Sequence, residues 1–293
     1  MRRLTALFTL SLLLFACGPQ GIALPPAHVD TVRIATQNSH YITLNKEKGS
    51  WSVGDWQDRR TSVDLAFKAL DADIIGFQEM ESFARGNDGS INLARDWLLD
   101  QNPDYAAGAS GDWRSFPSTQ PIFYRRDRFT LLDQGWFFFS DTPDVIYSRT
   151  YDGSFPAFTS TVRLQDKDGT ILNVVNVHFE YKSGSNRLKS AALAASRMAP
   201  LIAAGERVAL IGDINALRGS QTAQILKDAG FSFLPTSGST YHLNRGINLF
   251  GAIDHIALAG PMTPAAPAQV QRRKFDGRWP SDHYAVVADI QTR

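Results

Sequence analysis

Apolar residues in this chain fall into short unbroken runs that end on polar residues, separated by stretches with apolar positions every three or four residues. The central run is Val208-Ala209-Leu210-Ile211, closed by Gly212-Asp213-Ile214-Asn215. Four apolar residues in a row predict a strand buried on both faces. Similar runs predict strands over Thr31–Asn38, Asp73–Glu79, Pro121–Tyr124, Thr130–Ser140, Ile253–Leu258 and Tyr284–Ile290. Ala157–Leu164 and Ile171–Phe179 are expected to pair across the turn Asp166-Lys167-Asp168-Gly169. Helical spacing predicts helices over Trp56–Leu70, Ile91–Leu99, Arg187–Ala204 and Ser220–Asp228. The triple Phe137-Phe138-Phe139 reads as core.

The polar residues closing these runs carry the candidate chemistry. Five strands deliver Asn38, Glu79, His178, Asp213 with Asn215, and Asp254, and a loop delivers Asp282 and His283. Asp and Asn are also ordinary strand-exit residues, so one such end means little. Together they offer carboxylates and an amide oxygen, the donors that a hard cation such as Mg²⁺ selects. The chain has a single cysteine and lacks a His-Glu-x-x-His pair, a Gly-x-Ser-x-Gly elbow and a Walker loop. Those absences narrow the chemistry toward metal-assisted hydrolysis by water.

In chain order, Ala35-Thr36-Gln37-Asn38, Ile75-Gly76-Phe77-Gln78-Glu79, Asn176-Val177-His178, Gly212-Asp213-Ile214-Asn215, Ile253-Asp254-His255-Ile256 and Ser281-Asp282-His283 resemble the signature of the endonuclease/exonuclease/phosphatase superfamily. The resemblance runs from about Val32 to Ile290. It implies an α/β fold of the deoxyribonuclease-I-like kind, a four-layer sandwich of two packed mixed β-sheets flanked by helices. It implies Glu79 as principal Mg²⁺ ligand, with Asn38 beside it and Asp282 as a secondary ligand; Mn²⁺ is an expected substitute. By the same resemblance Asp213 orients or deprotonates the attacking water, and Asn215 binds the scissile phosphate. His178 and His283 flank that phosphate, and Asp254 fixes the His283 tautomer.

Other polar residues are weaker candidates. Thr240-Tyr241-His242 resembles a segment that relatives place near the cleft, making His242 a candidate substrate contact. Arg125, just after a strand, is a second. His255 is expected on the opposite face from Asp254 and so structural. His40, just past Asn38, could line the cleft, although a plain loop histidine is the simpler reading.

The first residues change the picture of location. Met1-Arg2-Arg3 followed by the apolar Leu4–Ala16 is too short to span a bilayer and predicts a signal peptide over residues 1–16. Leu14-Phe15-Ala16-Cys17 resembles a bacterial lipobox, which makes Cys17 a lipidation site and places the protein in the bacterial cell envelope, anchored to a membrane. Residues 17–30, with three prolines, read as a tether, and residues 31–293 as the endonuclease/exonuclease/phosphatase domain. Removing Arg2 and Arg3 with the leader changes the formal net charge from +1 to −1, which gives no global grip on nucleic acid. The expectation is a monomeric, Mg²⁺-dependent phosphodiesterase acting on an anionic phosphoester: nucleic acid, phospholipid head group, or sugar or inositol phosphate. The alternative is an inactive binding module on the same fold.

Overall fold

The computed structural model describes residues 23–80, 82, 83, 91–153 and 156–293. The leader and Cys17 lie outside the described residues. Two sheets carry the fold. Edge to edge, the first runs Thr263–Pro264, Val286–Gln291, Val32–Asn38, Ile74–Gln78, Ile122–Arg125 and Tyr105–Gly108; Gln269–Val270 also pairs with Val286–Gln291. The second runs Ser232–Phe233, Asp254–Ala259, Val208–Asp213, Ile171–His178, Phe158–Asp166 and Phe129–Phe138. Both sheets are mixed: Val32–Asn38 is parallel to Ile74–Gln78 and antiparallel to Val286–Gln291. Val208–Asp213 is parallel to Ile171–His178 and antiparallel to Asp254–Ala259.

Alternation along the strands explains the layers. Ile34, Ile74, Val174, Ala209, Ile211 and Ile256 point between the sheets and form the central core. Their odd-even partners Val175, Leu210 and Ala257 pack under the helices Gly184–Ala203 and Gln221–Asp228. Ala35, Ile75 and Phe77 pack under Val53–Leu70 and Leu93–Gln101. Helix, sheet, sheet and helix thus make four layers. The sheets approach so closely at Gly76 that a Cβ there would lie 2.5 Å from Ile211 Cδ1. Phe138 and Phe139 are fully buried, as their pattern predicts.

Boundaries shift where caps decide them. The first helix starts at Val53, three residues before the apolar periodicity, because the Ser52 side chain accepts the Asp55 N–H. The third starts at Gly184, where Ser183 does the same for Asn186. The strand Tyr105–Gly108 was not legible in the sequence because Tyr-Ala-Ala-Gly carries little apolar signal. The end of the expected tether is docked: Leu24 packs on the core and the His28 backbone N–H donates to Asp289 Oδ2 at 3.0 Å. Among the described residues no helix is long and apolar enough to cross a membrane.

Candidate active site

The same alternation that builds the core places the polar strand ends. Asn38 continues the inward series of Ile34, His178 that of Val174, Asp213 that of Ile211, and Asp254 that of Ile256. Register does the rest: Asp213 lies directly opposite His178 on one neighbouring strand and Asp254 on the other. Three side chains of the second sheet therefore stand in a row at its rim. Asn38 reaches across from the first sheet, with Nδ2 3.3 Å from Asp213 Oδ2 and 3.2 Å from Glu79 Oε1. Gly212 makes the strand end feasible, because it adopts φ +136° and a Cβ there would lie 2.0 Å from Val177 O.

A buried polar layer lies beneath this row. Gln78 Nε2 donates to Asn176 Oδ1 at 2.5 Å and to Thr36 Oγ1 at 3.0 Å, and Asn176 Nδ2 donates to Phe77 O at 2.8 Å. These bonds join the sheets under the site, so its two halves cannot slide apart without leaving buried polar groups unpaired.

Glu79 leaves its strand with φ +53° and Asn215 follows Asp213 with φ +49°. Left-handed backbone at non-glycine residues costs energy and collects at functional sites. Asn215 is held by its own N–H to Asp213 Oδ1 at 2.8 Å and by Nδ2 to Phe179 O at 2.8 Å, which uses one of its two amide protons.

Electrostatics divide the two imidazoles. His283 Nδ1 donates to Asp254 Oδ2 at 2.9 Å. Burial opposes its charge, but Asp254, Asp213 and Asp282 outweigh burial and push it up to about 10. His178 lies 3.8 Å from Glu79 and 3.9 Å from Asp213 through Nε2. Burial and the neighbouring His283 charge push it down to about 4, so it is neutral. Burial, then the Asp282 charge, pushes Glu79 up to about 7, and burial, then Asp254, pushes Asp213 up to about 8. Asp282 is held well below the usual carboxylate range: burial raises it, but His40, with Nδ1 at 3.0 Å, and His283 outweigh that.

The carboxylates therefore exceed the local cations. Glu79, Asp213, Asp254 and Asp282 share the site with protonated His283, and the first two carry raised pKa values. A surplus of buried and largely buried oxygen donors is the environment a hard divalent cation relieves, so these residues fit one. Asp213, Asp254 and His283 offer atoms within 4.8 Å of one another. That trio suits a hydrogen-bonded relay better than a metal, since His283 Nδ1 is already committed to Asp254. Asn38 presents its amide nitrogen to the carboxylates, while its oxygen accepts the His40 N–H at 3.3 Å. A half-turn of the amide would exchange the two atoms.

Two expected substrate contacts do not face the cleft. His242 is completely buried, its ring stacked on Tyr284 at 3.9 Å. The side chain its segment brings to the site is Tyr241, with its ring 4.9 Å from that of His283. Arg125 sits at the other end of its sheet, bound to Asp71 and 3.7 Å from Asp73. Asp73 and Glu79 bound the same strand, so Arg125 lies about 20 Å from the carboxylate cluster at ~3.3 Å per residue. His255, as expected, faces away and donates from Nε2 to Ala216 O at 2.9 Å.

Of the two readings of His40, the structure favours the cleft: it contacts Asp282. Arg59 was not foreseen. Arg59 is buried and its guanidinium donates to Ser39 O at 2.9 Å, His40 O at 2.8 Å and Pro280 O at 2.9 Å. It therefore ties together the two loops that follow Asn38 and precede Asp282. The sequence signal was a charge on the apolar stripe Trp56, Val63, Phe67 and Leu70 of the first helix.

The profile of the Endonuclease/Exonuclease/phosphatase family matches residues 50–283. No curated protein matches the sequence. Among solved structures, an endonuclease/exonuclease/phosphatase family protein from Bacteroides thetaiotaomicron is 22% identical with TM-score 0.73, over 89% of this chain and 97% of that one. Bacteroides thetaiotaomicron VPI-5482 mannosyl-6-phosphatase is 23% identical with TM-score 0.73, over 88% and 99%. TDP2 from D. rerio, solved with a single-strand DNA product, is 16% identical with TM-score 0.63, over 89% and 98%. At these identities the likeness concerns the fold.

Proposed function

The chain belongs to the endonuclease/exonuclease/phosphatase family, and from that premise we propose that it is a Mg²⁺-dependent phosphoester hydrolase in which water attacks phosphorus in line. Phosphodiesters are the first choice of substrate. The observation that carries this reading is the convergence of Asn38, Glu79, His178, Asp213, Asp254 and His283 at one rim between the sheets. Both a mannosyl-6-phosphatase and a DNA-product complex occur among similar folds, so phosphoester chemistry is common to them while the substrate is not.

In this reading Glu79 holds the cation, with Asn38 and Asp282 beside it; when bound, the cation neutralises charge on the phosphoryl oxygens. Asp213, raised by burial to about 8 in the metal-free protein, acts in its ionised form, once its proton has been displaced, to take the proton of the attacking water. Cationic His283, kept in place by Asp254, stabilises the charge growing on phosphate oxygens. Neutral His178 and the remaining amide proton of Asn215 supply further hydrogen bonds to phosphate. The protein is a monomer held in the bacterial envelope through a lipid on Cys17.

The test is hydrolysis of a panel of aryl, nucleic-acid, lipid and sugar phosphoesters by the full chain, with Mg²⁺ and with EDTA. Turnover of at least one ester that EDTA abolishes supports the reading; equal turnover in EDTA, or none on any ester, contradicts it.

A further inference from the structure

The chain that leaves the second sheet after Asp213 makes a tight turn through Asn215. Three bonds hold this turn from the front. The Ile214 N–H donates to Ile253 O at 3.1 Å, the Asn215 N–H to Asp213 Oδ1 at 2.8 Å, and Asn215 Nδ2 to Phe179 O at 2.8 Å. The next carbonyl, Ala216 O, is held from behind. It accepts from His255 Nε2 at 2.9 Å. His255 lies directly opposite Gly212 in the ladder and projects away from the cleft, with its ring 5.4 Å from that of Phe233 in the layer under the helices.

A carbonyl only accepts, so Nε2 carries the ring proton and Nδ1 is the bare nitrogen. The ring is completely buried, and Nδ1 has no hydrogen-bond partner among the described residues. Burial, aided by the Arg218 charge, outweighs the Ala216 and Ala252 backbone groups and the Asp254 charge. It holds the imidazole below its ordinary pKa, so the ring is neutral. A phenyl ring would fill the same space without an unpaired polar atom, so on packing alone histidine is the worse choice. What a phenyl ring cannot supply is the donor for Ala216 O. Asn215, at φ +49°, holds a left-handed conformation that a non-glycine residue keeps only where its surroundings over-determine it. With Asp213 on the Asn215 N–H and His255 on the following carbonyl, the chain is fixed on both sides of that residue.

We infer that His255 is a positioning residue: from the far face of the sheet it pins the turn that aims the Asn215 amide at phosphate. The inference rests on the phosphoester-hydrolase reading for what that amide binds, while the pinning itself belongs to the turn. Asp254 and His255 stand back to back, so one strand serves the site from both faces. Asp254 holds His283 on the inner face, and His255 holds the Asn215 turn from the outer one.

The experiment separates the turn from the chemistry. His255→Phe keeps a ring and removes the donor, His255→Leu removes the donor with a smaller side chain, and His255→Gln returns a donor near the position of Nε2. The full chain carries each substitution, and whichever of the Phe and Leu variants folds serves as the donorless protein. One readout is the side-chain amide signal of Asn215 in ¹H–¹⁵N NMR, identified by its loss in Asn215→Ala. The other is Mg²⁺-dependent hydrolysis of bis(p-nitrophenyl) phosphate. Removing the donor is expected to shift or broaden the Asn215 signal and to lower kcat/KM about tenfold, the effect of one lost hydrogen bond. His255→Gln should restore both, with kcat/KM within about threefold of wild type. In an Asn215→Ala background the same loss of donor should cost less than about twofold, because the residue it acts through is gone. An unmoved Asn215 signal, an undiminished kcat/KM, or a loss equally large without Asn215 overturns the inference. Absence of hydrolysis by the wild type would count against the hydrolase reading and leave the Asn215 signal to decide the pinning.

Discussion

His283 Nδ1 and Asp254 Oδ2 lie 2.9 Å apart, with Asp254 completely buried and His283 nearly so. Removing the carboxylate strands an imidazolium in a low-dielectric site. Asp254→Asn is expected to lower turnover by about 10²–10⁴-fold, the usual range for a positioned acid–base group. It should also destabilise the fold by about 3–5 kcal/mol. The sign of the pH dependence follows from the direction of the shift. His283 is pushed up to about 10, so its pairing stabilises fully below the unfolded value of about 6.5 and is lost as pH rises toward 10. Thermal melts of wild type and Asp254→Asn should therefore differ most near pH 6 and converge near pH 10. A constant difference would contradict the pairing.

Cation binding should compete with protons. Glu79, the cation's principal ligand, is pushed up to about 7 in the metal-free protein, and a carboxyl must lose its proton to ligate. Apparent Mg²⁺ affinity, measured by titration calorimetry, is expected to fall as pH drops below about 7 and to level off above about 8. Glu79→Gln should abolish the Mg²⁺-induced rise in melting temperature. A pH-independent affinity would place the cation elsewhere.

Arg59 joins three carbonyls from two loops. Arg59→Ala leaves them buried and unpaired, which should cost roughly 2–5 kcal/mol in urea unfolding. It should also weaken Mg²⁺ binding, because Asn38 and Asp282 flank those loops. Arg59→Lys, unable to fork to three acceptors, should recover only part of both. Unchanged Mg²⁺ affinity in Arg59→Ala would show the clamp to be purely structural.

Arg125 binds Asp71 at the far end of its sheet. Arg125→Ala is expected to leave turnover within about twofold of wild type, in line with a surface substitution away from the chemistry. A loss of about tenfold or more would mean that the substrate extends along the sheet.

Much of this arrangement was legible because strand alternation carries information past the core. The parity that buries Ile211 also aims Asp213 inward, and the same holds for Ile34 with Asn38 and Ile256 with Asp254. Strand ends could therefore be gathered into one site without knowing the register. What parity does not report is loop conformation. His40 follows a strand with φ +67° and turns to Asp282, which no periodicity encodes. His242 failed as a cleft residue for the same reason: in an irregular segment, neighbours 241 and 242 do not announce which one turns inward. Arg125 failed because ending a strand does not say at which end of the sheet it lies; its neighbour in the ladder is Tyr105, not Glu79.

The account depends on Asp213 and His283 acting on one phosphoester beside a cation. Hydrolysis of bis(p-nitrophenyl) phosphate by the wild type, Asp213→Ala and His283→Ala, each with Mg²⁺ and with EDTA and each checked for fold by circular dichroism, tests this directly. The account predicts Mg²⁺-dependent turnover in the wild type and loss of at least about 10²-fold in each folded variant. Near-wild-type turnover in either variant, or turnover that survives EDTA, would contradict it.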